Sequence, residues 1–165
     1  MGLAESLIAE LRGEAATTRR VLERVPETEL AWRPHPKSMS VGQLAFHIAM
    51  LPQAIAGLLG ELVTEVPNVP LPEGVPLAEI LATLDRGVPI AAERLAAWGD
   101  EGLNAVWRMT REGKTLLEMP RIGMVRSVML NHWYHHRGQL TVYLRQLDVP
   151  LPSVYGPTAD EKVFG

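Results

Sequence analysis

Hydrophobic side chains recur at helical spacing in four long stretches of the chain, with polar residues between them. The first stretch covers residues 2–25 and ends at Pro26, which cannot continue a helix. Ser40 is the predicted N-cap of a second helix that reaches about Val63. A proline-rich segment follows each of these helices, so irregular connections are expected there instead of tight turns.

A third helix and a hairpin precede the last helix. Apolar residues from Leu77 to Trp98 follow a spacing of three and four, which predicts one buried face, and Gly99 ends the pattern. Two short apolar runs around a Glu-Gly turn predict a hairpin within 106–119, and the fourth helix is expected over 121–147. We therefore predict an all-α four-helix bundle, with long loops that permit crossover connections and a small β-hairpin insert before the last long helix.

Composition narrows the class of protein. The 165 residues are enough for one domain with its own core, spanning 1–165. A net charge of -3 and scattered basic residues do not suggest nucleic acid as a partner. There is no cysteine, so a metal would have to bind histidine, carboxylate or backbone oxygen.

The N-terminal pattern is not that of a signal peptide, and we expect a cytoplasmic protein. Residues 41–60 carry no permanent charge and approach the length of a membrane span. His47, Pro52 and two glutamines within that stretch argue against insertion, so no membrane association is expected.

Histidines on two helices point toward the predicted core. At about 100° per residue, His132 and His136 lie about 40° apart in the middle of the apolar stripe of the fourth helix. His47 lies near the centre of the apolar face of the second helix. Three inward imidazoles are costly to desolvate unless something satisfies them, and a divalent metal would do so. Core histidines bonded to carbonyls or water, and a chance pair on one helix, are the alternatives.

Four other side chains are candidates for positions around the histidines. His135 lies at the edge of the apolar stripe and could pair with His132 or line the rim of a pocket. Gln43 and Gln139 could hydrogen-bond a ligand imidazole or serve the backbone. Tyr143 could aim its hydroxyl at the pocket or pack in the core.

The remaining residues of this region suggest packing. Trp133 is interpreted as a packing residue, Arg137 as part of a surface or interface ion pair, and Gly138 as a point where a neighbouring helix approaches closely. The back of the second helix offers small residues instead of charges, which suggests a two-fold dimer interface formed by Ala45, Ala49, Ala56 and Gly60.

Three sequence motifs carry a family resemblance. "MSVGQLAFHIAM", "NHWYHHRGQL" and "VPLPSVYGPTADE" resemble the DinB/YfiT-like family of small bacterial metalloproteins over essentially the whole chain. The resemblance implies a four-helix bundle of unusual crossover topology, often dimeric, with a divalent metal on three histidines that match His47, His132 and His136. It also implies activities such as transfer of bacillithiol or mycothiol to electrophiles and thiol-dependent isomerisation. The tail "SVYGPTADEKVFG" is expected to fold over a bundle end or to line a neighbour's pocket.

These observations favour a divalent-metal-dependent enzyme with a three-histidine site that binds zinc or nickel. The favoured reaction is S-transfer from a low-molecular-weight thiol to a small-molecule substrate, for detoxification, in a homodimer. A metal-dependent hydrolase is the first alternative. The second is a stress-related binding or assembly protein whose metal is structural or vestigial. The sequence offers no obvious carboxylate base on either histidine-bearing face, so no catalytic residue is assigned.

Overall fold

Most of the predicted elements form in the computed structural model, which describes residues 2–162. In chain order they are α1 (Leu3–Leu22), a 3-10 turn (Glu27–Glu29), α2 (Val41–Leu58), β1 (Val63–Glu65), α3 (Leu77–Asn104), β2 (Val106–Arg111), β3 (Lys114–Pro120), α4 (Arg121–Met124), a π-helical segment (Val125–Asn131) and α5 (His132–Gln146). The backbone stays helical from α4 through the π-helical segment to α5, and we call these three together the last helix. The predicted mainly helical class is confirmed.

The long helices enclose one apolar core. α3 packs against both α1 and α2, and α5 also packs against these two helices. Although α1 and α2 are consecutive, they are not one of the main packed pairs. This is the pairing expected when the connection between two helices passes across the end of the group.

The ends of α2 differ in how well the sequence predicts them. The Ser40 hydroxyl accepts a hydrogen bond from the Gln43 backbone N–H at 3.2 Å, and the Gln43 side chain accepts one from the Ser40 N–H at 3.0 Å, which confirms the predicted start. The predicted end near Val63 is wrong. α2 stops at Leu58, where the Thr64 hydroxyl donates to the Leu58 carbonyl at 2.9 Å and the chain turns into β1. α1 is likewise shorter than the predicted range 2–25.

The predicted hairpin is confirmed and belongs to a small sheet. β2 and β3 pair antiparallel, and the two-residue turn has Glu112 at φ 50° and Gly113 at φ 76°, as a type I′ hairpin turn requires. β1 adds a parallel partner to β2, which the sequence did not predict. A three-residue strand is too short to show alternation of polar and apolar positions.

The last helix has two buried faces instead of one. The additional face is formed by Leu130, Trp133, Arg137 and Leu144. Arg137 is 2% exposed and pairs with Glu14 of α1 at 2.6 Å, so its interpretation as a surface or interface ion pair is wrong. Trp133 is fully buried, as predicted. Gly138 is exposed, and a Cβ there would meet nothing within 4 Å, so it does not mark the approach of a neighbouring helix.

The small residues of α2 face the inside of the same chain. Ala45, Ala49 and Ala56 are fully buried, and a Cβ added to Gly87 of α3 would lie 3.8 Å from the Ala49 carbonyl. Gly60 lies beyond the end of α2. The close helix contact that these small residues suggest is therefore made with α3 of the same chain, and the interpretation of that contact as a dimer interface is wrong. α2 is long and apolar enough to cross a membrane, but half of it is buried within the protein, as in a core helix.

The tail lies along its own chain. Glu161 pairs with Arg20 of α1 at 2.5 Å, and Asp160 pairs with Arg145 of α5. The Tyr155 hydroxyl accepts a hydrogen bond from Arg137 and donates one to Glu14 at 3.0 Å. The tail thus covers the groove between α1 and α5, and the last residues of its motif, 163–165, lie outside the described part of the chain.

Candidate metal centre

The three histidines singled out by the helical pattern converge in space. One ring nitrogen from each of His47, His132 and His136 lies within 4.8 Å of the others. The ring centroids are 5.3 Å apart for His47 and His132, 4.7 Å for His47 and His136, and 4.4 Å for His132 and His136. This group could bind a metal ion.

Two helices position these rings. His132 and His136 stand one turn apart on α5, so their side chains project from the same face. His47 is brought to them by the packing of α2 against α5. The indole N–H of Trp133 donates to the Ile48 carbonyl at 2.9 Å, and both residues are fully buried. Because each of these residues is next in sequence to a histidine of the group, this bond fixes the height of one helix relative to the other at the site.

The environment keeps the imidazoles neutral. Burial, together with repulsion from His136 and His132, lowers the pKa of His47 to about 4. Burial also lowers the pKa of His132 and of His136, although the Val128 carbonyl and the Gln139 side chain respectively oppose that shift. At neutral pH the three rings therefore offer lone pairs to a cation and carry no charge that would repel it.

The hydrogen bonds around the rings fit a bound cation. Gln139 Oε1 lies 2.7 Å from His136 Nδ1, so Nδ1 carries the hydrogen and Nε2 is left with its lone pair. That Nε2 lies 2.6 Å from Nε2 of His132. His47 Nδ1 is buried and has no hydrogen-bond partner among the residues that the structure describes. Since a buried polar atom without a partner is costly, the donor set has an unmet demand of the kind that a metal ion satisfies.

Of the four further side chains predicted to lie around the histidines, one contacts the group directly and the other three do other things. Gln139 contacts a histidine of the group directly. His135 is exposed, with its ring centroid 5.0 Å from that of His136, and lies outside the convergent group. Gln43 uses its amide oxygen to cap α2 and donates from its nitrogen to the Leu71 carbonyl at 2.9 Å, so its role is structural. Tyr143 packs edge-on against Trp32 with centroids 5.7 Å apart.

A cavity of about 370 Å³ opens beside His47 and His132. α2 and the last helix form two of its walls, the hairpin contributes Met109 and Leu117, and the loop residues 67–70 cover it. Sequence reasoning missed this cavity. The available signal was the apolar residues Met109 and Leu117 within the two predicted strands, but which side of the sheet faces the helices depends on how the sheet docks on them.

Comparison with known proteins identifies the family. The fold and the site describe a mainly helical protein with a three-histidine group able to hold a metal ion. A family model for the DinB family matches residues 1–162, and the chain belongs to this family. It is 25% identical to the uncharacterised protein YrdA of Bacillus subtilis (strain 168) over 152 residues, and this alignment covers 90% of this chain and 85% of YrdA.

Solved structures agree in fold. A DinB-like protein from Bacillus cereus ATCC 10987 superposes with a TM-score of 0.69 at 24% identity, over 92% of this chain and 97% of that one. The DinB-like protein YjoA of Bacillus subtilis superposes with a TM-score of 0.67 at 17% identity, over 96% and 99% of the two chains. At these identities the likeness concerns the fold alone.

Proposed function

We propose that this protein is a metal-dependent enzyme in which His47, His132 and His136 hold one divalent ion, zinc or nickel. The observation that carries the proposal is the convergence of three neutral imidazoles beside an apolar cavity. Imidazole suits both metals, and three protein ligands leave a coordination position for water or substrate, as catalytic sites do. The scaffold is interpreted as a four-helix bundle with crossover connections.

The proposed reaction transfers a low-molecular-weight thiol of the bacillithiol or mycothiol type to an electrophile. When bound, the ion supplies the Lewis acidity that keeps a thiol ionised at neutral pH, in a chain that has no cysteine of its own. The thiol proton passes to solvent, a bond forms between the sulfur and an electrophilic carbon, and the bond from that carbon to its leaving group breaks. No external oxidant or reductant is required.

The chain's own residues orient and shield the reactants. Gln139 holds the His136 ring in the tautomer that presents Nε2 to the site. The bond from Trp133 to Ile48 keeps the two histidine-bearing helices in register. The apolar walls of the cavity hold the electrophile beside the histidines and exclude water, which suits a reaction in which water would compete with the thiol.

Hydrolysis at the same site is supported less well. Many metal-dependent hydrolases place a carboxylate general base beside the metal-bound water, and among the described residues that line the cavity there is no carboxylate. The binding or assembly alternative relied on the small residues of α2, which are buried against α3. A homodimer stays a prediction, and light scattering tests it independently of activity.

The test is a conjugation assay with 1-chloro-2,4-dinitrobenzene as electrophile and bacillithiol, mycothiol or cysteine as thiol. We expect release of chloride and formation of the thioether to require both the thiol and the metal, and to be lost in His132→Ala. His135→Ala is the matched control, because His135 is a neighbouring histidine on the same helix but lies outside the convergent group. Equal turnover in wild type and His132→Ala would overturn the proposal, and turnover that needs no thiol would favour the hydrolase.

A further inference from the structure

The walls of the cavity beside the histidines are almost entirely hydrocarbon and thioether. α2, the last helix and the hairpin all contribute side chains to these walls, among them, in that order, Leu51 and Ile55, Met124 and Val128, and Met109 and Leu117. Met109 and Leu117 are directly paired across β2 and β3, so the sheet presents both side chains to the same space. Methionine adapts its shape to the molecule it contacts, and two of these six side chains are methionines.

The polar groups of the cavity are few. Its polar lining residues in the described chain are His47, His132 and Asn68, and the last of these lies in the exposed loop that covers the opening. The described lining includes no lysine and no arginine. A carboxylate or phosphate placed against these walls would lose its hydration without gaining a lysine or arginine partner.

The size of the cavity limits the ligand further. An apolar cavity of about 150 Å³ holds one benzene molecule. The cavity described here, of about 370 Å³, has room for a little more than two rings of that size. Its volume falls at the lower end of the range for small-molecule sites, which are commonly about 300–1,000 Å³.

We infer that this cavity takes an uncharged, apolar molecule about the size of two fused rings. Its role as the binding place of the electrophile rests on the proposed function, whereas its preference for neutral ligands rests on the walls alone. The walls therefore favour an electrophile of this size that carries no charge.

Binding of two matched probes tests this inference without any turnover. 2-Acetylnaphthalene and 2-naphthoate have the same number of non-hydrogen atoms and differ in charge. Each is titrated into the full-length protein by calorimetry, after chelation so that a carboxylate cannot gain by binding a metal. We expect the neutral ketone to bind at least about tenfold more tightly than the acid, because the acid would bury an unpaired charge.

Two arginine variants locate the effect. Leu117→Arg places a guanidinium in the wall and is expected to weaken ketone binding and strengthen naphthoate binding, moving the ratio by at least about tenfold. Leu116→Arg is the control, because Leu116 is 53% exposed on the other side of the same strand. This variant is expected to leave the ratio of the two affinities unchanged. Circular dichroism checks that both variants are folded.

The wild-type comparison decides the inference even if Leu117→Arg does not fold. Absence of ketone binding, or naphthoate binding as tight as that of the ketone, would overturn it. The same holds if Leu116→Arg shifts the ratio as much as Leu117→Arg. Because none of these results involves metal content or catalysis, a preference for charged ligands can be distinguished from a failure of the proposed enzyme activity.

Discussion

The hydrogen bond from His136 to Gln139 is expected to determine much of the metal affinity. Gln139 Oε1 accepts from His136 Nδ1 at 2.7 Å, and this contact both fixes the tautomer and makes Nε2 a better donor. Gln139→Leu keeps a side chain of similar size but removes the acceptor. Loss of such a contact lowers metal affinity by about 10- to 100-fold, which corresponds to about 1.4–2.7 kcal/mol. That range is similar to the contribution of one hydrogen bond to a charged group, about 1.5–3 kcal/mol.

Competition with a chromophoric chelator measures this change in affinity. Gln146→Leu, a substitution of the same type at an exposed position at the end of α5, is expected to bind metal as the wild type does. Gln139→Glu retains an acceptor for Nδ1 and should restore the affinity, which a purely structural role for the amide would not predict. If Gln139→Leu binds zinc and nickel within about twofold of wild type, the assigned role of this contact is refuted.

Three further predictions concern stability in urea unfolding of the metal-free protein. Arg137→Met leaves the Glu14 carboxylate half-buried without its partner and should lower the free energy of unfolding by about 3 kcal/mol. Arg12→Met, at an exposed position, should change it by no more than about 0.5 kcal/mol, and equal losses in the two variants would contradict the buried pair. Gly113→Ala should destabilise the protein by about 1 kcal/mol, because Gly113 has a positive φ. Gly138→Ala, at an open helical position, should instead stabilise it by up to about 1 kcal/mol. A stabilising Gly113→Ala would contradict the turn geometry. The pKa of His47 is lowered to about 4, so between pH 6.5 and 4 the unfolded chain binds more protons than the folded one, and stability falls as the pH drops through that window. The fall should be smaller in His47→Leu. A wild-type stability that does not change over this window would contradict the burial of the ring.

The parts of the fold that follow local rules could be predicted from the sequence. Ser40 and Gln43 form a capping box because both partners lie within one turn of the chain. His132 and His136 share a face because of helical periodicity alone, and His47 lies at the centre of a stripe on α2. Their convergence followed from placing both stripes against one core.

The parts that depend on contacts distant in sequence could not be predicted. Arg137 lies on the side of the last helix away from the histidines, which predicts a surface or interface ion pair, and its partner Glu14 is far away in sequence. The cavity combines α2, the last helix, the hairpin and a loop, so no single pattern encodes it. Strand β1 pairs parallel with β2, although the whole of α3 separates the two strands in sequence. The π-helical segment before His132 likewise has no periodicity of its own in the sequence.

The metal content of the protein tests the central claim most directly. The full-length chain is purified without a histidine tag, and bound metals are measured by inductively coupled plasma mass spectrometry in wild type, His132→Ala, His136→Ala and the control His135→Ala. We expect close to one zinc or nickel ion per chain in wild type and in His135→Ala, and loss of that ion in the other two variants. A wild-type protein that carries no metal and takes up none on titration would contradict the assignment of His47, His132 and His136 as a metal site.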